Sequence, residues 1–165
     1  MNPDRIYLPQ LHRPTLLVGL LIISSLTAVG RGMAEATSTS FSTQVTIELG
    51  VPEKLRVSDG ITHVRNQPYF SLVPVTIAGV AVHFRGVVSY NADAEGNGTD
   101  NGTFLYTAID GSGSWEGRFS GIATGGLVSN RFVGQGSGAL DRTTIQGTYV
   151  DSGFVATLSG EILKH

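Results

Sequence analysis

Apolar and polar residues alternate along most of the chain beyond residue 36, and turn-forming pairs separate the alternating segments. The longest such segment is Val80–Tyr90, in which Val82 and Phe84 share one parity while His83 and Arg85 share the other. A period of two is that of a half-buried β-strand. The pattern predicts eight or nine short strands, and no amphipathic helix competes with them. We therefore predict an all-β fold, a single antiparallel up-and-down β-barrel of about eight strands over residues 37–165.

Residues 111–126 hold the single tryptophan of the chain and a regular spacing of glycines. Trp115 and Phe119 fall on one parity, and Glu116 and Arg118 fall on the other. Glycines inside a strand leave gaps along it and permit strong twist, which favours a closed barrel over a flat sheet. The glycines that recur every four residues are Gly113, Gly117, Gly121 and Gly125.

Three segments interrupt the alternation. Residues 66–68 (Asn-Gln-Pro) are predicted to break the chain, and Pro74 makes residues 69–78 an edge strand, a bulge or a loop crossing, because proline cannot donate to a β-ladder. Residues 91–102, NADAEGNGTDNG, are predicted to form a long polar loop. Residues 37–42 are polar, and we predict that they are flexible until they pair with the sheet.

The first 36 residues have the pattern of an export signal. Arg5 and Arg13 precede an apolar run over residues 15–29, and a small-x-small site ends at Ala36. The run of fifteen is shorter than the roughly 20 residues of a spanning helix, which argues against the alternative of an uncleaved anchor. We expect a helical signal peptide over residues 1–36, cleavage after Ala36, and a secreted or periplasmic product.

Charge and cysteine content narrow the classes of partner. The formal net charge is −2, only 15% of residues are charged, and cysteine is absent. Mild acidity spread along the chain provides no basic surface for nucleic acid or for an anionic membrane. Without cysteine there is no disulfide and no lipid attachment, so the sheet and its core must supply the stability. We expect no nucleic-acid partner and no membrane association after signal cleavage.

The polar segment 91–102 resembles a calcium loop in part. Its first, third and fifth positions carry oxygen-bearing side chains and its sixth is glycine, but Gly102 stands where a bidentate carboxylate is needed. The histidines beyond residue 36 form no close-set cluster of the zinc type. We therefore expect no metal and no cofactor.

Two polar pairs on the predicted strands offer the remaining chemistry. His83 with Arg85, and Glu116 with Arg118, would combine an acid, a base and an anion-binding group if both pairs faced the barrel interior. The alternative is that these are solvated outer faces. Alternation with aromatic neighbours, which favour burial, supports that alternative.

The glycine-rich segment also resembles a known family. Its spacing is similar to the G-x-G-x-[aromatic]-x-G-x-x-G signature of the allene oxide cyclase and dirigent barrel superfamily, with the last glycine one residue further along than in the commonest form. The resemblance covers about Val80–Leu163 and is closest to small exported bacterial members. It implies an eight-stranded antiparallel barrel, and the enzymes of the superfamily steer a cyclisation with acidic and other polar groups inside the cavity. The matching residues are Gly111, Gly113, Trp115, Gly117 and Gly121.

Three functions remain open from the sequence. A barrel with a free interior would bind a small hydrophobic or amphipathic ligand. The resemblance implies instead a cofactor-independent isomerase or cyclase, whose catalytic residues the sequence does not assign. A filled core would indicate a non-catalytic structural or interaction module. We favour ligand binding over catalysis, with the candidate binding residues Trp115, Phe119, Tyr149, His83, Arg85, Glu116 and Arg118.

Overall fold

The computed structural model describes residues 37–151, 153 and 155–165, and this part of the chain contains ten β-strands and no helix. The signal peptide predicted for residues 1–36 lies outside the described residues. The strands are β1 (Thr37–Leu49), β2 (Lys54–Ser58), β3 (Ile61–Ser71), β4 (Val75–Ile77), β5 (Val80–Ala92), β6 (Gly98–Ala108), β7 (Gly113–Thr124), β8 (Leu127–Gly138), β9 (Thr143–Asp151) and β10 (Val155–Lys164).

The ten strands form one antiparallel sheet that closes on itself. Consecutive strands pair from β5 through β10, β10 pairs with β1, and β3 pairs with both β1 and β5. Eight strands therefore make the ring, while β2 and β4 are short additions to β3 and β5. The prediction of an all-β antiparallel fold is confirmed. The last five strands pair in sequence order.

The ring has two ends, which we call the mouth end and the closed end. The mouth end carries the β5–β6, β7–β8 and β9–β10 connections, and the closed end carries the β6–β7 and β8–β9 connections together with β4. Strand β4 contacts β1 as well as its partner β5. Its Val75 and Ile77 are buried in the core, so β4 covers part of the closed end.

Alternate residues of each ring strand point inward and form one hydrophobic core. Val82 and Phe84 of β5 are buried, whereas His83 and Arg85 between them are exposed. Complete burial of a large apolar side chain stabilises the fold by about 1.5–3 kcal/mol, so this alternation fixes the register of the strands. The face predicted for Val80–Tyr90 is confirmed.

Glycines on the inward face make room for aromatic rings of neighbouring strands. A Cβ at Gly117 would lie 2.5 Å from Cζ of Phe104, and a Cβ at Gly134 would lie 2.7 Å from the same atom. A Cβ at Gly147 would lie 3.0 Å from Cζ of Phe132. The first two separations are too short for a side chain and the third leaves almost no room for one, so the rings lie directly over the backbone. The glycines therefore make room for aromatic rings of neighbouring strands. From the sequence we expected them to leave gaps instead.

The first predicted interruption is part of a strand. Strand β3 continues through residues 66–68, and its register against β5 shifts between Val64 and Gln67, where Asn66 has a φ of 50°. A β-bulge at this point lets β3 and β5 remain paired on both sides of it. The prediction of a chain break was therefore wrong. Pro74 lies between β3 and β4, which is the loop crossing among the predicted alternatives.

The polar loop predicted for residues 91–102 is also shorter than expected. Residues 91 and 92 belong to β5, and residues 98–102 belong to β6, which pairs with β5 on one side and β7 on the other. Pairing on both sides holds Asn, Asp and Gly residues in a strand against their preference for turns. Residues 37–42 pair with β10, so this polar segment is part of the sheet.

Candidate binding cavity

A cavity of about 290 Å³ lies inside the ring at the mouth end. Side chains of β1, β3 and β5–β10 line it, and Gly96, Gly126 and Gly153 of the mouth-end connections border its opening. Its volume is close to the roughly 300 Å³ at which ordinary ligand pockets begin. Side chains therefore fill the closed end of the ring but not the mouth end.

A continuous chain of aromatic rings forms the deep wall of the cavity. Five contacting pairs have centroid separations of 4.6 to 6.0 Å, and their planes are edge-on, tilted or stacked. Such pairs contribute about 0.5–1.5 kcal/mol each beyond area burial, so the rings hold one another in place. In order of contact the chain is Phe119, Tyr69, Phe84, Tyr106, Phe104 and Phe132.

Tyr69 presents its ring rather than its hydroxyl to this space. The hydroxyl donates to the carbonyl oxygen of Thr103 at 3.0 Å. A Cβ at Gly86 would lie 2.6 Å from the same hydroxyl oxygen, so the missing side chain of Gly86 makes this position possible. Burial raises the pKa of Tyr69 well above its ordinary value, and the hydroxyl stays protonated as a donor.

Polar groups form a band above the aromatic wall. The strand register places Asp100 of β6, Asn130 of β8 and Tyr149 of β9 in one row across the sheet, with Gly121 of β7 between the first two. Asn130 Nδ2 donates to Asp100 Oδ2 at 2.8 Å. The Tyr149 hydroxyl donates to Asp151 Oδ2 at 3.1 Å. The backbone N–H of Gly153 also donates to Asp151, to Oδ1 at 2.8 Å. The cavity thus contains two carboxylates, Asp100 with one neutral donor and Asp151 with two.

Three buried oxygens of the cavity wall have no hydrogen-bond partner among the described residues. They are Asp100 Oδ1, Asn130 Oδ1 and Gln67 Oε1. The amide orientations are fixed, because Asn130 Nδ2 donates to Asp100 and Gln67 Nε2 donates to the Gly50 carbonyl oxygen at 3.0 Å. An unpaired buried acceptor costs about 1–3 kcal/mol. The wall thus holds three unpaired acceptors with almost no accessible surface, which a donor on a ligand reaches after a small side-chain rotation.

Burial shifts the titration of these groups toward their neutral forms. It raises the pKa of Asp100, with a further rise from the nearby Asp151 carboxylate and an opposing hydrogen bond from Asn130. It also raises the pKa of Asp151, against the hydrogen bonds from Tyr149 and Gly153. The pKa of Tyr149 is raised as well, first by burial and then by Asp151. Tyr149 is therefore a proton donor at neutral pH, and the carboxyls titrate closer to neutrality than exposed ones.

The structure brings two of the sequence-predicted residues to the cavity, Phe119 and Tyr149. Trp115 shares the inward face of β7 with Phe119 but is buried toward the closed end, outside the cavity lining. Its Nε1 donates to Thr143 Oγ1 at 2.8 Å, which in turn donates to the Leu140 carbonyl oxygen. Trp115 is thus part of the packed end of the core.

The four charged candidates lie on the outer face of the ring. His83, Arg85, Glu116 and Arg118 are all exposed, and none of them lines the cavity. Arg85 and Glu116 border a shallow groove on the outside of β5–β7 instead. These four residues therefore lie on solvated outer faces, which was the alternative interpretation of the sequence. Polar residues that do line the cavity include Asp100, Asn130, Asp151 and Gln67, which the sequence reasoning missed.

The residues of the partial calcium loop have other partners. Asn91 Oδ1 lies 2.8 Å from His63 Nδ1 and accepts from Arg65 at 2.9 Å, and Asp93 accepts from the backbone and side-chain nitrogens of Asn97. Within residues 37–151, 153 and 155–165 no group of three or more His, Cys, Asp or Glu residues is placed to hold a metal ion. Over the same residues no helix is long and apolar enough to span a membrane.

We expect Asp100→Asn to stabilise the protein at pH 7 by less than about 1 kcal/mol, because solvent screens this partly exposed carboxylate. The folded-state pKa of Asp100 is raised, so the folded state binds more protons than the unfolded state between the unfolded value, about 3.9, and the raised folded value. Stability is lost as the pH rises through that window, and the variant lacks that loss. Thermal unfolding between pH 4 and 8 measures the difference. Exposed Asp141→Asn is the control, and equal curves for the two variants would contradict the expectation.

Comparison of the chain with known protein families and with curated proteins finds no match, so the geometry of the cavity is the basis of the functional proposal.

Proposed function

We propose that this protein is a small barrel that binds a small hydrophobic or amphipathic molecule in its mouth-end cavity. The observation that carries the proposal is the cavity itself, with its aromatic wall and its single polar band. An apolar lining with a few oriented polar groups is typical of small-molecule sites. The unfilled mouth end favours this function over a structural module with a packed core.

The up-and-down barrel of the allene oxide cyclase and dirigent type remains part of the proposal. Its support is the eight-stranded ring and the position of the glycine-rich signature on β7, where Gly117 seats the ring of Phe104. Eight strands enclose room for packed side chains or for one small ligand. Here packed side chains fill the closed end, and the mouth end is suited to one small ligand.

Ala123→Phe is expected to weaken ligand binding strongly, because Ala123 lines the cavity near its mouth and a phenyl ring would occupy the space. We expect the affinity for the neutral lipophilic dye Nile red to fall at least ~10-fold, since the added ring removes the apolar contact area of the dye. Dye fluorescence titrated against the purified protein measures the change.

The adjacent residue supplies the matched control. Ile122 is 58% exposed on the outer face of β7, so Ile122→Phe adds the same ring outside the cavity and leaves dye binding unchanged. Equal dye affinity in the two variants would place the dye outside the ring. Absence of binding by the unsubstituted protein, to Nile red and to a panel of neutral lipophilic compounds, would refute the binding function.

A cofactor-independent isomerase or cyclase is the second candidate. The observation in its favour is the Tyr149–Asp151 hydrogen bond beside Asp100, with raised pKa values for both carboxyls. Such groups suit proton transfer within an apolar site. Chiral chromatography of unsaturated alcohols and epoxides incubated with the protein tests this candidate. Identical product distributions with and without the protein would reject it.

We also propose that the protein is exported, on the basis of the charged, apolar and small-residue pattern of residues 1–36. The secreted or periplasmic product should begin at or near Thr37. N-terminal sequencing of the recovered protein tests this, and recovery of a chain that still begins at Met1 would refute cleavage.

A further inference from the structure

We propose that the cavity selects a protonated organic amine, an ammonium group on a compact aromatic body, over neutral or anionic ligands of the same shape. This inference rests on the binding function proposed above and specifies its ligand class. Three independent features of the cavity support it: the sign of its charges, the type of its unpaired atoms and the chemistry of its wall.

The charge of the lining has one sign. Asp100 and Asp151 are its only charged residues, and no lysine, arginine or histidine of the described chain lines the cavity. Arg65 of β3 does not line the cavity, and its guanidinium is held by Asn91 Oδ1 and by the Val64 and Tyr90 carbonyl oxygens. Charge interactions are stronger in a partly buried site than in water. The cavity therefore attracts cations and repels carboxylates.

The unpaired atoms are all acceptors. Asp100 Oδ1, Asn130 Oδ1 and Gln67 Oε1 are buried without a partner in the described chain, and Asn130 is only 3% exposed. A primary ammonium brings three N–H donors, whereas a quaternary ammonium brings the same charge and none. The cavity thus favours an amine that keeps its N–H groups. A ligand with acceptors only would leave the wall oxygens unpaired.

The wall suits the body of such a ligand. Aromatic faces attract a cation placed within about 6 Å of the ring centroid, and they pack against an apolar ring. Tyr149 carries both a ring and a hydroxyl bound to Asp151, so the aromatic surface and the carboxylate lie side by side. A cavity of about 150 Å³ is enough for benzene. The 290 Å³ here therefore encloses one ring with a short amino arm, whereas the larger Nile red enters with only part of its ring system.

Four probes of similar shape separate these features. They are 2-phenylethylamine, its N,N,N-trimethyl derivative, 2-phenylethanol and 3-phenylpropanoate, each titrated calorimetrically into the purified protein at pH 7. We expect the amine to bind about 10-fold tighter than the alcohol and the trimethyl derivative, because only the amine supplies both charge and donors. The carboxylate should bind most weakly.

Variants of the two carboxylates test the assignment to this cavity. In Asp100→Asn and in Asp151→Asn the ratio of amine to alcohol affinity should fall toward one, and in the double variant to about one, since each substitution removes one of the two attracting charges. Exposed Asp141→Asn should keep the ratio of the unsubstituted protein. Thermal unfolding verifies that each variant is folded.

The outcomes distinguish this inference from the binding function on which it rests. The amine proposal is overturned if the alcohol or the carboxylate binds as tightly as the amine. It is also overturned if the Asp100 and Asp151 variants keep the amine preference. In both cases the cavity remains a binding site without selectivity for amines. If Nile red binds but none of the four probes does, the amine proposal is likewise overturned. If neither the dye nor any probe binds, the binding function falls with it.

Discussion

Trp115→Ala is expected to lower the free energy of unfolding by about 3–5 kcal/mol, the cost of deleting a large buried aromatic side chain. Trp115 is 1% exposed and belongs to the core cluster with Val82 and Ile145. Its removal also leaves Thr143 without the indole donor at 2.8 Å. The β8–β9 connection would lose one link to the core, because Thr143 also donates to the Leu140 carbonyl oxygen there. Urea unfolding with linear extrapolation measures the loss.

Two further variants identify the source of this effect. Trp115→Phe keeps most of the apolar surface but not the indole N–H, and we expect a cost of about 1–2 kcal/mol. Phe119→Ala removes a half-buried ring from the cavity wall, so its cost should be smaller than that of Trp115→Ala, while dye binding is weakened. A loss below about 1 kcal/mol in Trp115→Ala would contradict the role of this residue in the core.

The parity of the alternating segments predicted which residues face inward. Phe84, Trp115, Phe119 and Tyr149 all lie on the inward face. The first three alternate with polar neighbours, and burial of a ring outweighs any local preference. Parity gives the face but not the level along the ring. The level depends on the stagger between strands, which is a tertiary property. For this reason Trp115, expected to line a cavity, lies with the packed residues instead.

The polar residues of the cavity could not be identified in the same way. Asp100 lies in a run of Asn, Asp, Gly and Thr residues that is typical of a loop, and only pairing with β5 and β7 makes it a strand residue. Asn130 is 30 residues away in sequence and meets Asp100 across Gly121. A buried Asn–Asp pair on alternate strands leaves no local pattern. The sequence signal that exists is the inward parity that Asn130 shares with Phe132.

The ring geometry explains why the glycines recur at intervals of four in β7. Inward residues recur every two positions, and each second one lies beneath a side chain from a neighbouring strand: Phe104 over Gly117, and the amide of Asn130 over Gly121. Large and vacant positions therefore alternate along the strand, as they must where rings are packed inside a narrow closed sheet. The same arrangement places Phe104 of the cavity wall and Asn130 of the polar band.

Gly117→Ala is expected to cost about 3 kcal/mol or more, as for other overpacked core positions. The new Cβ would overlap the Val133 carbonyl oxygen and lie 2.5 Å from Cζ of Phe104, which is itself buried and contacts Tyr106 and Phe132. Neither the strand nor the ring is free to move, so the strain spreads into the cavity wall. We expect weaker dye binding together with a lower urea midpoint. Arg118→Ala, on the exposed face next to it, is the control and should change stability by less than about 0.5 kcal/mol.

A second substitution separates the ring contact from the backbone contact. Phe104→Leu shortens the side chain over Gly117, so the cost of Gly117→Ala in that background should be smaller, with a coupling of about 1 kcal/mol between neighbouring sites. Strict additivity would mean that the Val133 carbonyl alone excludes the methyl group. If Gly117→Ala lowered the stability as little as Arg118→Ala does, the aromatic rings would not pack directly against the glycines. The four-residue spacing would then need a different explanation, one based on strand twist alone.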